Sequence, residues 1–241
     1  MAIDPRKRQK KLAKARAKRK SKALGNRRAE QGRTSLLQRA ALGLEFELAA
    51  RGPIHECYVN ANLMNTEYDQ GMGTVIVSRL ASSRMVAMGV YLLDVFCLGV
   101  KDSFARLLTM EEFSQFLSQT RVQGPIKNVE PAVAKKLIED TVAYARSLGF
   151  EPHPDFRPAR KLLEDIDASA CRMEFNFGDR GKPHFISGPY DSQARIRQIR
   201  DTLERTCGKD NYNITILLGD PFADDDSDYD FGEEDDDEIE E

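Results

Sequence analysis

The sequence predicts an α+β fold whose charged termini are disordered. Two observations carry that prediction. Between residues 35 and 219 the apolar periodicity alternates between the helical repeat and the two-residue repeat of strands. Outside that stretch the chain is almost pure charge and lacks the apolar residues needed to bury a core.

The elements follow in order. Ser35 caps an N-terminal helix to about Ala50, with Leu36, Leu37, Leu44 and Leu48 on roughly one face, and Gly52-Pro53 stops it. Three strand-like runs then form a three-stranded antiparallel meander: Ile54–Ala61, Thr74–Leu80 and an unusually long Met85–Leu98. Ala81–Arg84 is short enough for a hairpin, whereas Asn62–Gly73 reads as a mobile loop. The third strand is apolar on both faces: Val86, Met88, Val90 and Leu92 on one, Ala87, Tyr91, Leu93 and Val95 on the other. That pattern places it centrally, covered on both sides, and Gly89 marks a bulge or a close backbone approach.

A helical middle comes next. Thr109 with Glu111 and Glu112 opens a helix to about Gln119. Pro131 opens another, with Ala134, Leu137, Ile138, Thr141, Ala145 and Leu148 inward and Gly149 closing it. A short helix over about Asp155–Leu163 leads to a C-terminal β-β-α-β unit: Met173–Phe177, His184–Ser187, a helix to about Thr206, and Tyr212–Leu218. The expected organisation is a basic arm (1–34), a globular core (35–219, divisible at 108/109 into 35–108 and 109–219) and an acidic tail (220–241).

The formal net charge of −3 conceals the distribution. Residues 1–34 hold 14 Lys/Arg against Asp4 and Glu30, a net +12, and residues 220–241 hold 14 Asp/Glu and no base, a net −14. The remaining core is net −1. In the arm, Arg6, Lys7, Arg8, Lys10, Lys11, Lys14, Arg16, Lys18, Arg19 and Lys20 suit contact with phosphates of DNA, RNA or a ribonucleoprotein, because each neutralised phosphate releases counterions. No aromatic residue is interleaved among them, so base stacking is not expected. The competing reading is a solubilising tail or a weak contact with anionic membranes. The acidic tail fits a basic protein partner or self-contact with the arm. Phe222, Tyr229, Phe231 and Ile239 lend it apolar grip. Such self-contact needs close approach, since the Debye length at physiological salt is about 8 Å.

No apolar run reaches the roughly 18 residues of a membrane span. No apolar segment follows the N-terminal charge as a secretory signal would require. Cys57, Cys97, Cys171 and Cys207 form no CxxC pair, which argues against zinc and a disulfide framework. A cytoplasmic location is expected, with nuclear import through residues 7–20 in a cell that has a nucleus.

Within the core, Asp94 is the sharpest candidate for chemistry, since an unpaired carboxylate is costly to bury in VYLLDVFCLGV. Lys101 and Asp102 follow it, and Asp165 and Asp167 could join in space to hold a divalent metal for phosphoryl transfer. The weightier reading is that Asp94 pairs with Lys101, Arg79 or a backbone donor and supports the fold. His55, His153 and His184 match no metal-ligand spacing. Arg195, Arg197, Arg200 and Arg205 read as a solvated helix face, and Gly188–Ser192 as a turn with a helix cap. No cofactor is implied. The function expected is non-enzymatic association with nucleic acid or ribonucleoprotein, tuned by the acidic tail. The alternatives are a metal-dependent phosphodiesterase-like hydrolase centred on Asp94 and Asp102, and a protein-interaction adaptor.

Overall fold

A computed structural model describes residues 43–64, 71–188 and 191–216. The arm, half of the expected Asn62–Gly73 loop (residues 65–70) and the acidic tail lie outside the described residues, as do residues 35–42 of the expected first helix.

The fold is α+β. Helix α1 covers residues 43–49, and its end is anchored by Ala49 and Ala50, which are buried in the main core. Strands β1 (Ile54–Asn60), β2 (Met72–Leu80), β3 (Met85–Asp94), β4 (Gly99–Thr109) and β5 (Ile126–Asn128) form one antiparallel sheet in the order β4-β3-β2-β1-β5. The meander is therefore longer than the sequence pattern suggests. The run Met85–Leu98 divides at Asp94: residues 95–98 turn, Gly99 adopts φ +75°, and the chain returns as β4. The turn carries no polar signature, because Val95, Phe96, Cys97 and Leu98 are all buried and apolar, where most turns are polar. An added Cβ at Gly99 would also lie 2.6 Å from the Ala145 Cβ.

Helix α2 (Met110–Gln123) covers one face of the sheet, with Phe113 and Leu117 packed on Val86, Met88 and Val90. Its start is a reciprocal cap. Thr109 Oγ1 accepts from the Glu112 amide at 3.2 Å, and Glu112 Oε2 accepts from the Thr109 amide at 2.7 Å. The other face carries α3 (Pro131–Ser147) and the short α4 (Phe156–Ala159), which runs into a 3₁₀ turn, Arg160–Leu163. Leu137, Ile138, Leu162 and Leu163 meet Ala87, Tyr91 and Leu93 there. The two-faced pattern of β3 thus yields three layers, helix–sheet–helix. Gly89 is a close approach without a bulge, since the ladder runs in register through Val77, Gly89 and Ala105. A Cβ at Gly89 would meet Leu162 Cδ1 at 2.6 Å and Tyr91 Oη at 2.7 Å.

Arg79 fastens this second layer from beneath. It is 1% exposed, and its Nε donates to the Leu162 carbonyl at 2.8 Å while Nη1 donates to the Gly52 carbonyl at 2.7 Å. Its guanidinium also pairs with the Asp165 carboxylate. One buried cation thus ties the end of α1 to the segment after α4.

The C-terminal unit is built on β6 (His184–Ile186), α5 (Gln193–Cys207) and β7 (Asn213–Thr215). The two strands pair in parallel, so the unit is β-α-β. Met173–Phe177, expected as a strand, is extended chain that joins no ladder. The turn at Gly178–Gly181 is present and closed by an Asp179–Lys182 bridge. Phe185, Ile196, Ile199 and Leu203 share a core with Cys97, Leu98 and Leu148, so the C-terminal unit rests on the β3–β4 turn and the end of α3.

Candidate functional site

Asp94 is buried at the β3–β4 turn. Its Oδ1 accepts from the amides of Phe96 and Cys97, both at 3.0 Å. The side chain organises the hidden turn: it supplies the acceptors that two buried N–H groups would otherwise lack. Burial pushes its carboxyl above the ordinary value, and the amides of Leu98, Cys97 and Phe96 and the charge of Lys101 pull it back. Backbone donors therefore claim the carboxylate on which the phosphodiesterase expectation was centred.

Lys101 and Asp102 occupy the start of β4; Lys101 acts on Asp94 by its charge, and among the described residues Asp102 forms no metal-ligating group with Asp94. Asp102 instead comes together with His153 and Asp155, their ligand atoms within 4.8 Å of one another, all exposed. Nδ1 of His153 lies 3.8 Å from a carboxylate oxygen of each aspartate. Asp165 is held by Arg79 and Asp167 caps the turn Ala168–Ala170, so neither joins this group.

His153 stands on a ridge, Pro152-His153-Pro154, between two grooves. The ridge is pinned to the sheet by the His153 amide, which donates to the Val100 carbonyl at 3.0 Å and so covers the open side of β4 there. The first groove, about 810 Å³, runs between α3 and α4 and is lined by Val142, Arg146, Phe156, Arg157 and Arg160 among others. The second, about 430 Å³, lies between β4 and α5 and includes Lys101, Glu151, Arg195 and Thr202. Arg146 is paired with Glu151 at 2.9 Å and Arg195 with Asp191 at 3.1 Å. Arg157, Arg160 and Lys101 make no ion pair among the described residues. The first groove is thus a concave surface with an apolar floor and a cationic rim, a form suited to flexible polyanions.

The first and last described elements are held close to residues of these grooves. Helix α1 is tied by Glu47 to Lys161, the residue after Arg160. At the other end, the Ser187 amide donates to the Thr215 carbonyl at 2.9 Å, and the next residue, Gly188, lies by Lys101: an added Cβ would be 3.8 Å from Nζ.

On α5 the arginines are exposed, Arg200 lies 3.4 Å from Asp201, and Ser192 caps the helix by accepting from the Arg195 amide, as the solvated-face reading requires. His184 is bracketed by Asp179, 3.0 Å from Nδ1, and Thr215, 2.9 Å from Nε2, and its ring stacks on Phe96. This order of carboxylate, imidazole and hydroxyl fastens the last strand to the turn before β6. The meeting of Arg157, Arg160 and the His153 ridge around one groove has no local signature in the sequence. The one available signal was the pair of prolines flanking His153, which fixes a rigid extended segment. No protein-family model, curated protein or solved structure matches the chain.

Proposed function

We propose that the chain is a non-enzymatic nucleic-acid or ribonucleoprotein-associated protein that holds phosphates through residues 1–34. The observation that carries this reading is the concentration of 14 Lys/Arg in those 34 residues. The core offers a geometric support: α1 (43–49), which follows the arm in sequence, is fastened beside the Arg157–Arg160 rim, so arm and rim can meet one polyanion. Such a partner is bound by charge and not by base identity.

The test is a salt series on generic duplex DNA and single-stranded RNA. It compares the full chain with a full-length variant in which the ten arm cations from Arg6 to Lys20 are changed to Gln. With about six to ten phosphates engaged, affinity falls roughly 10³–10⁵-fold between about 50 and 200 mM salt. The variant loses most of that slope. Equal affinity and equal slope for the two proteins overturn the reading.

One observation favours a second reading, metal-dependent phosphodiester hydrolysis. It is the approach of Asp102, His153 and Asp155 beside the cationic grooves, a set of oxygen and nitrogen donors that suits a first-row divalent ion. Titration of Mn²⁺ followed by relaxation of the His153 ring protons tests it. Saturable binding that Asp102→Asn abolishes, with cleavage of a generic phosphodiester, sustains this reading. No binding ends it.

A further inference from the structure

We propose that the acidic segment 220–241 docks into the two grooves beside the Pro152–His153–Pro154 ridge of its own chain. The inference concerns where the tail sits and does not rest on nucleic-acid binding.

The exit point carries the first part of the argument. β7 lies alongside β6, and Ser187 and Gly188 connect its end to Lys101 in the wall of the second groove. From Ile216, the last described residue, Asp220 is only four residues away, about 13 Å of extended chain. The 22 residues that follow extend to about 75 Å at most, ample to cross both grooves.

Charge carries the second part. The tail brings 14 acids and no base. The grooves offer Lys101, Arg157 and Arg160 without ion pairs, and Arg146 and Arg195 whose partners can be exchanged. The opposing charges are engaged with neighbours: Glu139 in the first groove with Lys135, Glu151 in the second with Arg146, Asp191 with Arg195, and Asp102 and Asp155 beside His153 on the ridge. Arginine suits this task, since its planar fork takes carboxylates two bonds at a time.

Shape carries the third. The floor of the first groove is apolar, with Val142 and Phe156 at its base and Pro152 at its edge. The tail is not uniformly acidic. Phe222, Tyr229 and Phe231 recur within it and can lie on that floor while neighbouring carboxylates meet the rim. Tethering adds to this, because a short linker keeps the segment at a millimolar effective concentration without any new contact. The basic arm is the competing seat for the tail, and the experiment separates the two.

The experiment uses the full chain, labelled with ¹⁵N, against a full-length variant with the 14 acids of 220–241 changed to Asn and Gln. At about 25 mM salt, neutralisation shifts the amide signals of Ala143, Gly149 and Thr202. Those shifts disappear at about 0.5 M salt, and that of Ala143, in the first groove, is absent when Arg157→Glu and Arg160→Glu are introduced together. Unchanged signals from Val86 and Leu137 in the same spectra report an intact core. Carbodiimide coupling on the native chain provides a second measurement, joining Lys101 to a carboxylate of 220–241 within one molecule. Shifts confined to residues 6–20, couplings only between separate molecules, or no salt-dependent shift each overturn the proposal.

Discussion

Asp94 separates a structural carboxylate from a catalytic one by a pair of substitutions. Asp94→Ala removes the acceptor shared by the Phe96 and Cys97 amides, both at 3.0 Å in a buried turn. Each buried donor left unpaired costs about 1–3 kcal/mol, so the loss expected for the two is about 2–6 kcal/mol. In a chain of this size that lowers Tm by roughly 4–24 °C. Asp94→Asn keeps an oxygen in the same place and removes only the charge, so its stability at neutral pH stays within about 1 kcal/mol of the parent. The pH dependence adds a second check. Burial raises the folded-state pKa of Asp94 above its unfolded value, so the folded protein holds that proton more tightly. The resulting stabilisation is complete below the unfolded value of about 3.9 and is lost as pH rises through the raised folded value. Asp94→Asn lacks this component. Urea unfolding followed by circular dichroism between about pH 4 and 7.5 measures both effects. An Asn variant as unstable as the Ala variant, or an Ala variant as stable as the parent, would falsify the turn-capping role.

Two other sites in the core make sharp predictions. Arg79→Met leaves the Leu162 and Gly52 carbonyls without their donor and lowers stability by about 3–5 kcal/mol, measured by urea unfolding; a loss under about 1 kcal/mol refutes the clamp. Its partner Asp165 is largely exposed, and Arg79 holds its carboxyl below the usual range, so its contribution is present above about pH 4 and fades as pH falls through the lowered value. Asp165→Asn removes that acid-side fade in the same titration. Gly89→Ala forces Leu162 and the Tyr91 ring to yield and costs about 1–3 kcal/mol in thermal unfolding; an unchanged Tm shows that the two side chains give way freely.

Much of the fold was legible because the apolar pattern of each element met only one kind of neighbour. The alternating faces of β3 became the two sheet faces, and the stripe Ala134–Leu148 became the buried side of α3. The cap at Thr109 followed from local residue chemistry. Two features stayed hidden for one reason: tertiary burial overrode local cues. The β3–β4 turn is apolar because α3 and the C-terminal unit cover it, so Met85–Leu98 read as one strand. Met173–Phe177 alternates as a strand would, yet Phe175 and Phe177 pack individually on the main core without a ladder. For the site, Asp94 was conspicuous as a charge in an apolar run, and the same sequence could not show that its bonds close within three residues. The grooves gave no local signal at all. They form where α3, α4, β4 and α5 converge on the rigid tripeptide Pro152-His153-Pro154, and residues from 98 to 202 contribute to them.

Docking of the acidic tail, as proposed, has a quantitative consequence for any polyanion that needs the grooves. A ligand that binds only the tail-free form has its apparent Kd multiplied by the inverse of the free fraction. If the tail occupies the grooves about 90% of the time, neutralising it tightens binding about tenfold. The effect has the opposite sign to neutralising the arm, which removes phosphate contacts and weakens binding. It also has a distinct salt profile. Both tail docking and polyanion binding weaken as salt rises, but docking is lost first where its contacts are few and exposed, so the tenfold gain shrinks towards none by about 0.3 M. Fluorescence anisotropy with a labelled generic RNA, across a salt series on the parent, the tail-neutralised and the doubly neutralised chains, reads all three terms. A tail-neutralised chain that binds no tighter than its parent at low salt would mean that tail and polyanion occupy separate surfaces. A gain that persists unchanged at high salt would mean that the tail acts by something other than charge.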